Sequence, residues 1–117
     1  DICGHVRTVG PYLEERLKTL HDLPIVGDVR GMCFMMCVEN VANKETKELL
    51  PPEAHVGDRI AKACEARGVL VRPIAHLNVM SPPLILTRDQ IDFMVDTLRE
   101  AIIETQDSLL RDGHWKG

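Results

Sequence analysis

The sequence predicts an α+β fold in which a small, three-stranded, largely antiparallel sheet has helices packed on one face. Three segments repeat apolar residues every three or four positions, which is typical of helices buried on one side. Between them lie short apolar runs bounded by glycine and proline, which predict strands. With 117 residues the chain has the length of one domain. We expect a single domain over residues 1–117, with a leading helix at 1–22 and an α+β sandwich at 25–113.

The first segment, residues 2–20, predicts a helix. Its apolar stripe comprises Ile2, Val6, Val9, Leu13, Leu17 and Leu20. Pro11 lies inside the stripe and lacks a backbone N–H, so a kink is expected there. Leu23 and Pro24 end the helix.

A central strand is expected near residues 29–39, with both faces buried, because this run is rich in Met, Cys and Val. A polar loop follows, and Pro51 and Pro52 begin a second helix at about 53–67. Gly68 is expected to end that helix in a left-handed conformation.

Two further strands are expected at residues 69–74 and 77–80, joined by a tight turn at Ala75 and His76. Pro73 predicts that the first of them is irregular or lies at an edge. Thr87 and Gln90 form the pattern of a capping box at the start of the last helix, which Gly113 is expected to end. A strand-helix-strand crossover followed by a hairpin places the last strand in the middle of the sheet.

Composition excludes several function classes. The net charge of -4, with acids and bases intermixed, provides no basic patch for nucleic acid, and no apolar run is long enough to span a membrane. The four cysteines form no CxxC pair and are expected to be small buried hydrophobes in a reducing compartment, so a cytoplasmic protein is the default. The histidines are scattered, so no metal site is expected.

The residues alone predict no catalytic centre. Neither GxxxxGK nor GxGxxG occurs, and there is no nucleophile elbow. All five lysines lie in polar contexts and are expected to be solvated. His76 is the most plausible general base, but a polar turn residue is the favoured interpretation.

Arg72 stands out because it interrupts the apolar run "GVLVRPIAHLNVMSPPL", residues 68–84. A buried guanidinium without a partner costs several kcal/mol. Three interpretations remain open: a side chain that reaches water along its own stem, an ion pair within the sheet, or a clamp for the carboxylate of a ligand. Arg30, beside a glycine in "DVRGMC", is a second candidate and is interpreted as structural or as part of a hinge.

Several spaced motifs resemble one known family. "VRG" at the first strand, "ARG" before the strand "VLVRP", and "SPPL" followed by "TR" at the last helix are similar to the C-terminal small domain of class III aminotransferases, of the ω-amino acid:pyruvate type. The resemblance covers nearly all of the chain but only about the last quarter of such an enzyme. It implies the C-terminal domain of a fold-type I pyridoxal-phosphate enzyme.

The resemblance also implies a function. The parent enzyme is expected to transfer an amino group from an amine or ω-amino acid to a keto acid such as pyruvate, using pyridoxal 5'-phosphate, as a homodimer. Arg72 matches the arginine that pairs with the substrate carboxylate. The cofactor lysine and the groups that hold the cofactor belong to the large domain of the same enzyme, and no position here matches them. This chain alone is therefore expected to be inactive, with no catalytic, cofactor-binding or metal-binding residue.

Two positions depart from the family pattern, because glycine is common where Cys33 and Ala75 stand. If the turn at Ala75 needs a positive φ, the alanine adds strain near Arg72. The alternative to the enzyme is a stand-alone α+β ligand-binding or regulatory module without catalysis.

Overall fold

The computed structural model describes all residues from Asp1 to Gly117. The chain forms three α-helices and four β-strands: α1 at Ile2–Lys18, β1 at Val26–Met32, β2 at Met35–Asn40, α2 at Val56–Ala66, β3 at Arg72–Ile74, β4 at Leu77–Met80 and α3 at Arg88–Asp112. Short 3-10 turns follow α1 at Thr19–Asp22 and precede α2 at Pro52–Ala54.

The sheet is antiparallel throughout, in the order β1-β2-β4-β3. The expected α+β class is confirmed, and β4, the last strand of the chain, does lie between β2 and β3. The crossover through α2 makes β2 and β3 parallel, so the returning strand pairs with both of them. The prediction of three strands was wrong by one strand, because β1 extends the sheet beyond β2.

The extra strand arises from a hairpin within the expected strand 29–39. Gly31 has φ 135° and Cys33 has φ 49°, and the chain reverses between them and Met35. A side chain at Gly31 would overlap the backbone of Met35 and Met36. The expected burial of both faces was also wrong, because Met32 and Met35, which pair at the end of the hairpin, are 75% and 72% exposed.

The strand expected at residues 69–74 is shorter than predicted. Only Arg72–Ile74 pairs with β4, and nothing pairs with the other side of this strand. The edge position that Pro73 predicted is therefore confirmed, since an edge strand tolerates a residue without a backbone N–H. Leu70 is 83% exposed, so this part of the apolar run is not a buried strand.

The ends of the helices follow the expected signals. Thr87 and Gln90 form both hydrogen bonds of a capping box at the start of α3, and Gly113 ends the helix with φ 80°. Gly68 follows α2 with φ 88°, as expected for a left-handed terminal residue. Helix α1 continues through Pro11.

The helices cover one face of the sheet. Val29, Val38 and Asn78 occupy one row across β1, β2 and β4 and are all buried. They contribute to an inner face that includes Met36 and Met80, while α3 packs against α1 and α2. The opposite face of the sheet carries exposed or half-buried side chains only, and we call it the open face. None of the helices is both long and apolar enough to cross a membrane.

The cysteines differ from expectation. Only Cys64 is buried, and burial raises the pKa of its thiol to about 11. Cys33 and Cys37 are half-buried and Cys3 is exposed, so the interpretation of all four as buried hydrophobes was wrong. All four thiols are free.

Candidate functional site

A single row of the open face contains both arginines singled out from the sequence. The register places Arg72 opposite Val79, Val79 opposite Cys37, and Cys37 opposite Arg30. Directly opposed residues in antiparallel strands point to the same side of the sheet. Two guanidinium groups therefore stand at opposite edges of one apolar row.

Arg30 is held by two carboxylates. Its Nη1 donates to Asp28 Oδ2 at 3.0 Å and to Glu39 Oε1 at 2.9 Å. These contacts raise the pKa of Arg30, and the Arg30 guanidinium in turn lowers the pKa of Asp28. A positive charge that is already matched within the fold is a poor receptor for a further anion, which favours the structural interpretation of Arg30.

Arg72 has no such partner. The side chain is exposed, and every ion-paired arginine of the chain is another residue: Arg16, Arg30, Arg59, Arg67 and Arg99. The hypothesis of an ion pair within the sheet was therefore wrong. The physical reason is that β3 lies at the edge, where its outward side chains reach water.

Arg72 borders a shallow cavity of about 330 Å³ between β3, β4 and the segment that leads to α3. Val79, Ser81 and Pro82 form part of its wall. Because a guanidinium presents a rigid fork of donors, it can bind a carboxylate through two parallel hydrogen bonds.

The turn that follows Arg72 is tightly bound. Ala75 has φ 54°, in the left-handed region, and His76 Nε2 donates to Glu39 Oε2 over 2.8 Å. This hydrogen bond is the main reason that the pKa of Glu39 lies below its ordinary value, with Arg30 adding to the effect. His76 is thus a hydrogen-bonded turn residue, as the favoured interpretation expected.

Sequence reasoning missed three polar residues beside this turn. Asn40 and Asn78 are fully buried, and the Nδ2 group of Asn40 donates to Asn78 Oδ1 and to the backbone oxygen of His76, each at 2.9 Å. Glu39, the third, accepts from His76 and Arg30. The available signal was an asparagine inside each of two apolar strands, since a buried amide must find hydrogen-bond partners.

The structure brings no other predicted group to the site as a catalyst. The ammonium groups of Lys44 and Lys47 donate to backbone oxygens, and Lys18, Lys62 and Lys116 are exposed. No three His, Cys, Asp or Glu side chains are grouped so that they could hold a metal ion. The arrangement is suited to binding an anion at Arg72.

Comparison with known proteins identifies relatives over nearly the whole chain. It is 37% identical over 116 residues to an uncharacterised aminotransferase of Sinorhizobium fredii, an alignment that covers 97% of this chain and 25% of the relative. It is 39% identical over 108 residues to a probable gamma-aminobutyrate transaminase of Oryza sativa subsp. japonica, covering 92% of this chain and 22% of that protein. The chain thus spans about a quarter of the length of these relatives.

Solved structures agree with this fold. An omega-transferase of Vibrio fluvialis superposes with a TM-score of 0.91 at 34% identity, over 94% of this chain and 26% of that structure. An aminotransferase from Vibrio fluvialis in its PMP-bound form superposes with a TM-score of 0.88 at 36% identity, over 91% of this chain and 24% of that structure. The family model for aminotransferase class III matches residues 1–102. Since that match covers most of the chain, and the fold and the spaced motifs agree with it, the chain belongs to the class III aminotransferase family.

Proposed function

We propose that this chain is the C-terminal domain of a transaminase and that Arg72 binds the carboxylate of its substrate. The whole enzyme would transfer an amino group from an amine or ω-amino acid to a keto acid such as pyruvate. The chain would form one domain over residues 1–117, with the leading helix and the sandwich sharing one core.

The contrast between the two arginines of the open face carries the assignment. Arg30 is matched by Asp28 and Glu39, whereas Arg72 is exposed beside a cavity and has no acidic partner. Both guanidinium groups are charged at neutral pH. Arg72 is therefore free to receive a carboxylate from outside the chain.

The expected cofactor is pyridoxal 5'-phosphate, and this chain's own residues do not fit it as a complete site. No buried lysine is present to bind its carbonyl carbon, since Lys44 and Lys47 hold backbone oxygens and the others are exposed. When bound elsewhere in the enzyme, the cofactor would supply the chemistry of amino-group transfer. This chain would supply only the carboxylate contact and would not transaminate by itself.

The open face supports a partner for the chain. Met32, Met35 and Ile74 are large apolar side chains of this face that are from 47% to 75% exposed. Large exposed apolar side chains are available to pack against another part of a protein. We propose that the large domain of the same enzyme covers this face, that the enzyme is a homodimer, and that it is cytoplasmic, where free thiols such as these persist.

The alternative is a stand-alone α+β ligand-binding or regulatory module. Sequencing the gene upstream of the codon for Asp1 distinguishes the two hypotheses. A continuous reading frame that encodes a cofactor lysine supports the enzyme, and an initiation codon immediately before Asp1 supports the module.

Replacing Arg72 tests its role. In the full-length enzyme, kcat/KM would be measured for 4-aminobutyrate and for butylamine, two amino donors that differ in a carboxylate. Because a hydrogen-bonded charge pair contributes about 1.5–3 kcal/mol, Arg72→Ala should lower kcat/KM for 4-aminobutyrate by about 10- to 100-fold and spare butylamine.

Arg72→Lys is the matched variant, because it keeps the charge and removes the fork of donors. We expect it to recover part of the loss for 4-aminobutyrate. Equal losses for both donors in Arg72→Ala would show that Arg72 does not bind the carboxylate.

A further inference from the structure

The hairpin that carries Arg72 is held at its turn by the neighbouring strand. Strand β3 has three residues and pairs only with β4, so its own ladder fixes it weakly. The turn, in contrast, is bound through both the side chain and the backbone of His76. Strand β3 also contacts α2, and the turn adds a fixed point at the end of the hairpin, two residues beyond Pro73.

The side chain of His76 is bound on the open face. Its Nε2 donates to Glu39 Oε2 at 2.8 Å, and both side chains are about a quarter exposed. The second oxygen of Glu39 accepts from Arg30 at 2.9 Å. Arg30 is also bound to Asp28, so Glu39 is held in place from the side of β1 and can itself hold the turn.

The backbone of the turn is bound by the buried residue Asn40. The backbone N–H of Asn40 donates to the oxygen of His76 at 3.2 Å, and the side-chain amide of Asn40 donates to the same oxygen at 2.9 Å. Asn78 donates in turn to the backbone oxygen of Gly57 at 3.1 Å. The turn is thereby connected to the first turn of α2.

Gly57 allows that close approach. A side-chain carbon at this position would overlap the carbonyl oxygen of Ala75 and lie 3.1 Å from that of Leu77. Ala75, whose backbone is left-handed, has its carbonyl oxygen beside Gly57 of the helix, so the strained turn and the glycine fit each other. Strained backbone persists where its surroundings over-determine it.

We propose that Glu39, acting through His76, is a positioning residue for Arg72 and thereby sets how well the enzyme recognises a carboxylated substrate. The inference rests on the proposed function of Arg72. Neither Glu39 nor His76 needs to touch the substrate. Loss of their hydrogen bond would let the edge hairpin shift, and small displacements of a binding group are costly when two parallel hydrogen bonds must align.

The test uses the full-length enzyme with its cofactor and the same two donors, 4-aminobutyrate and butylamine. His76→Leu removes the donor, and we expect kcat/KM for 4-aminobutyrate to fall by about tenfold, mainly through KM, with butylamine changed less than about twofold. His76→Gln keeps an N–H donor of similar reach and should restore most of the loss. Adding Glu39→Gln to His76→Leu should cause no further loss that is specific to 4-aminobutyrate.

Asp112→Asn is the matched control, because it removes an ion pair with Arg59 between α2 and α3, away from the open face. It should change kcat/KM for both donors by the same factor or leave both values unchanged. Amide hydrogen exchange provides a readout without turnover: the Asn40 N–H, which donates to His76, should exchange faster in His76→Leu than in His76→Gln.

The outcomes separate this inference from the function on which it rests. If Arg72→Ala discriminates between the donors and His76→Leu does not, the positioning role is wrong and the role of Arg72 stands. If His76→Leu lowers kcat/KM equally for both donors, His76 is merely structural and the inference fails. The inference also fails if His76→Gln does not restore kcat/KM for 4-aminobutyrate. If Arg72→Ala itself affects both donors equally, the proposed function fails.

Discussion

Two arginines in one row of the open face, Arg30 and Arg72, acquire different roles from their neighbours. Their side chains are chemically identical, and both follow a valine in the sequence. Asp28 and Glu39 lie within 3.0 Å of Arg30, while Arg72 stands at the edge of the sheet without an acid. The charge balance of each site, not the residue type, separates a structural pair from a candidate receptor.

The left-handed turn residue Ala75 leads to a prediction about stability. A non-glycine residue in this region costs about 1 kcal/mol, and glycine removes that cost while adding some freedom to the unfolded chain. Ala75→Gly should therefore leave the free energy of unfolding unchanged or raise it by up to about 1 kcal/mol. Urea unfolding of the chain would measure this change.

Ala61→Gly is the matched control, because Ala61 lies in the middle of α2 with ordinary helical geometry. We expect this change to lower the free energy of unfolding by about 1 kcal/mol. If Ala75→Gly is as destabilising as Ala61→Gly, the turn carries no strain.

Helix α3 shows that element boundaries follow local chemistry. Thr87 accepts from the backbone N–H of Gln90 at 3.2 Å, and the Gln90 side chain accepts from the Thr87 N–H at 3.0 Å. These bonds satisfy N–H groups that lack partners at a helix start. The hairpin within residues 26–40 had no comparable signal, because a single glycine inside a Met- and Cys-rich run is compatible with a continuous strand.

Removing the cap of α3 tests its contribution. Thr87→Ala should lower the free energy of unfolding by about 1 kcal/mol, since the Gln90 N–H loses its acceptor. Thr8→Ala is the control: Thr8 lies within α1, where its hydroxyl donates to the oxygen of Gly4, and alanine is the better helix former. In thermal or urea unfolding, equal effects of the two changes would contradict the capping role.

Across the whole molecule, one ionic network joins elements that are distant in sequence. It connects Asp28 and Arg30 of β1, Glu39 of β2 and His76 in the turn before β4. His76 and Arg30 hold the pKa of Glu39 below its ordinary value, and Arg30 does the same for Asp28. The folded chain therefore favours the ionised form of these carboxyl groups more strongly than the unfolded chain does.

The sign of this effect sets the expected pH dependence. Because the carboxyl pKa values are lower in the folded chain, their contribution is complete above about pH 5, where the carboxyls of the unfolded chain are also ionised, and is lost as the pH falls further. These groups are partly exposed, so the contribution is at most about 1 kcal/mol. Glu39→Gln should reduce the slope of stability against pH on the acid side, measured by urea unfolding between pH 2 and 6. An unchanged slope would contradict the prediction.

Glu45→Gln is the control for that experiment, because Glu45 is exposed in the loop between β2 and α2 and has no ion pair. Its slope of stability against pH should equal that of the chain without a substitution. A parallel decrease in both variants would show that the slope reflects total charge and not the network.

Local patterns in the sequence were sufficient for the α+β class, the caps at Thr87, Gly68 and Gly113, the edge position of Pro73 and the place of β4 between its neighbours. Each depends on contacts within a few residues or on the short connection between strands. The family resemblance also selected Arg72. The hairpin of β1 and β2 is local, with paired residues 3 to 14 positions apart, but one glycine in an apolar run does not distinguish it from a continuous strand. The exposure of Arg72 and the bonds from Glu39 and Asn40 to the turn depend on residues about 35 or more positions apart or on which sheet face the helices cover. Such pairings follow from packing, so they emerged only in three dimensions.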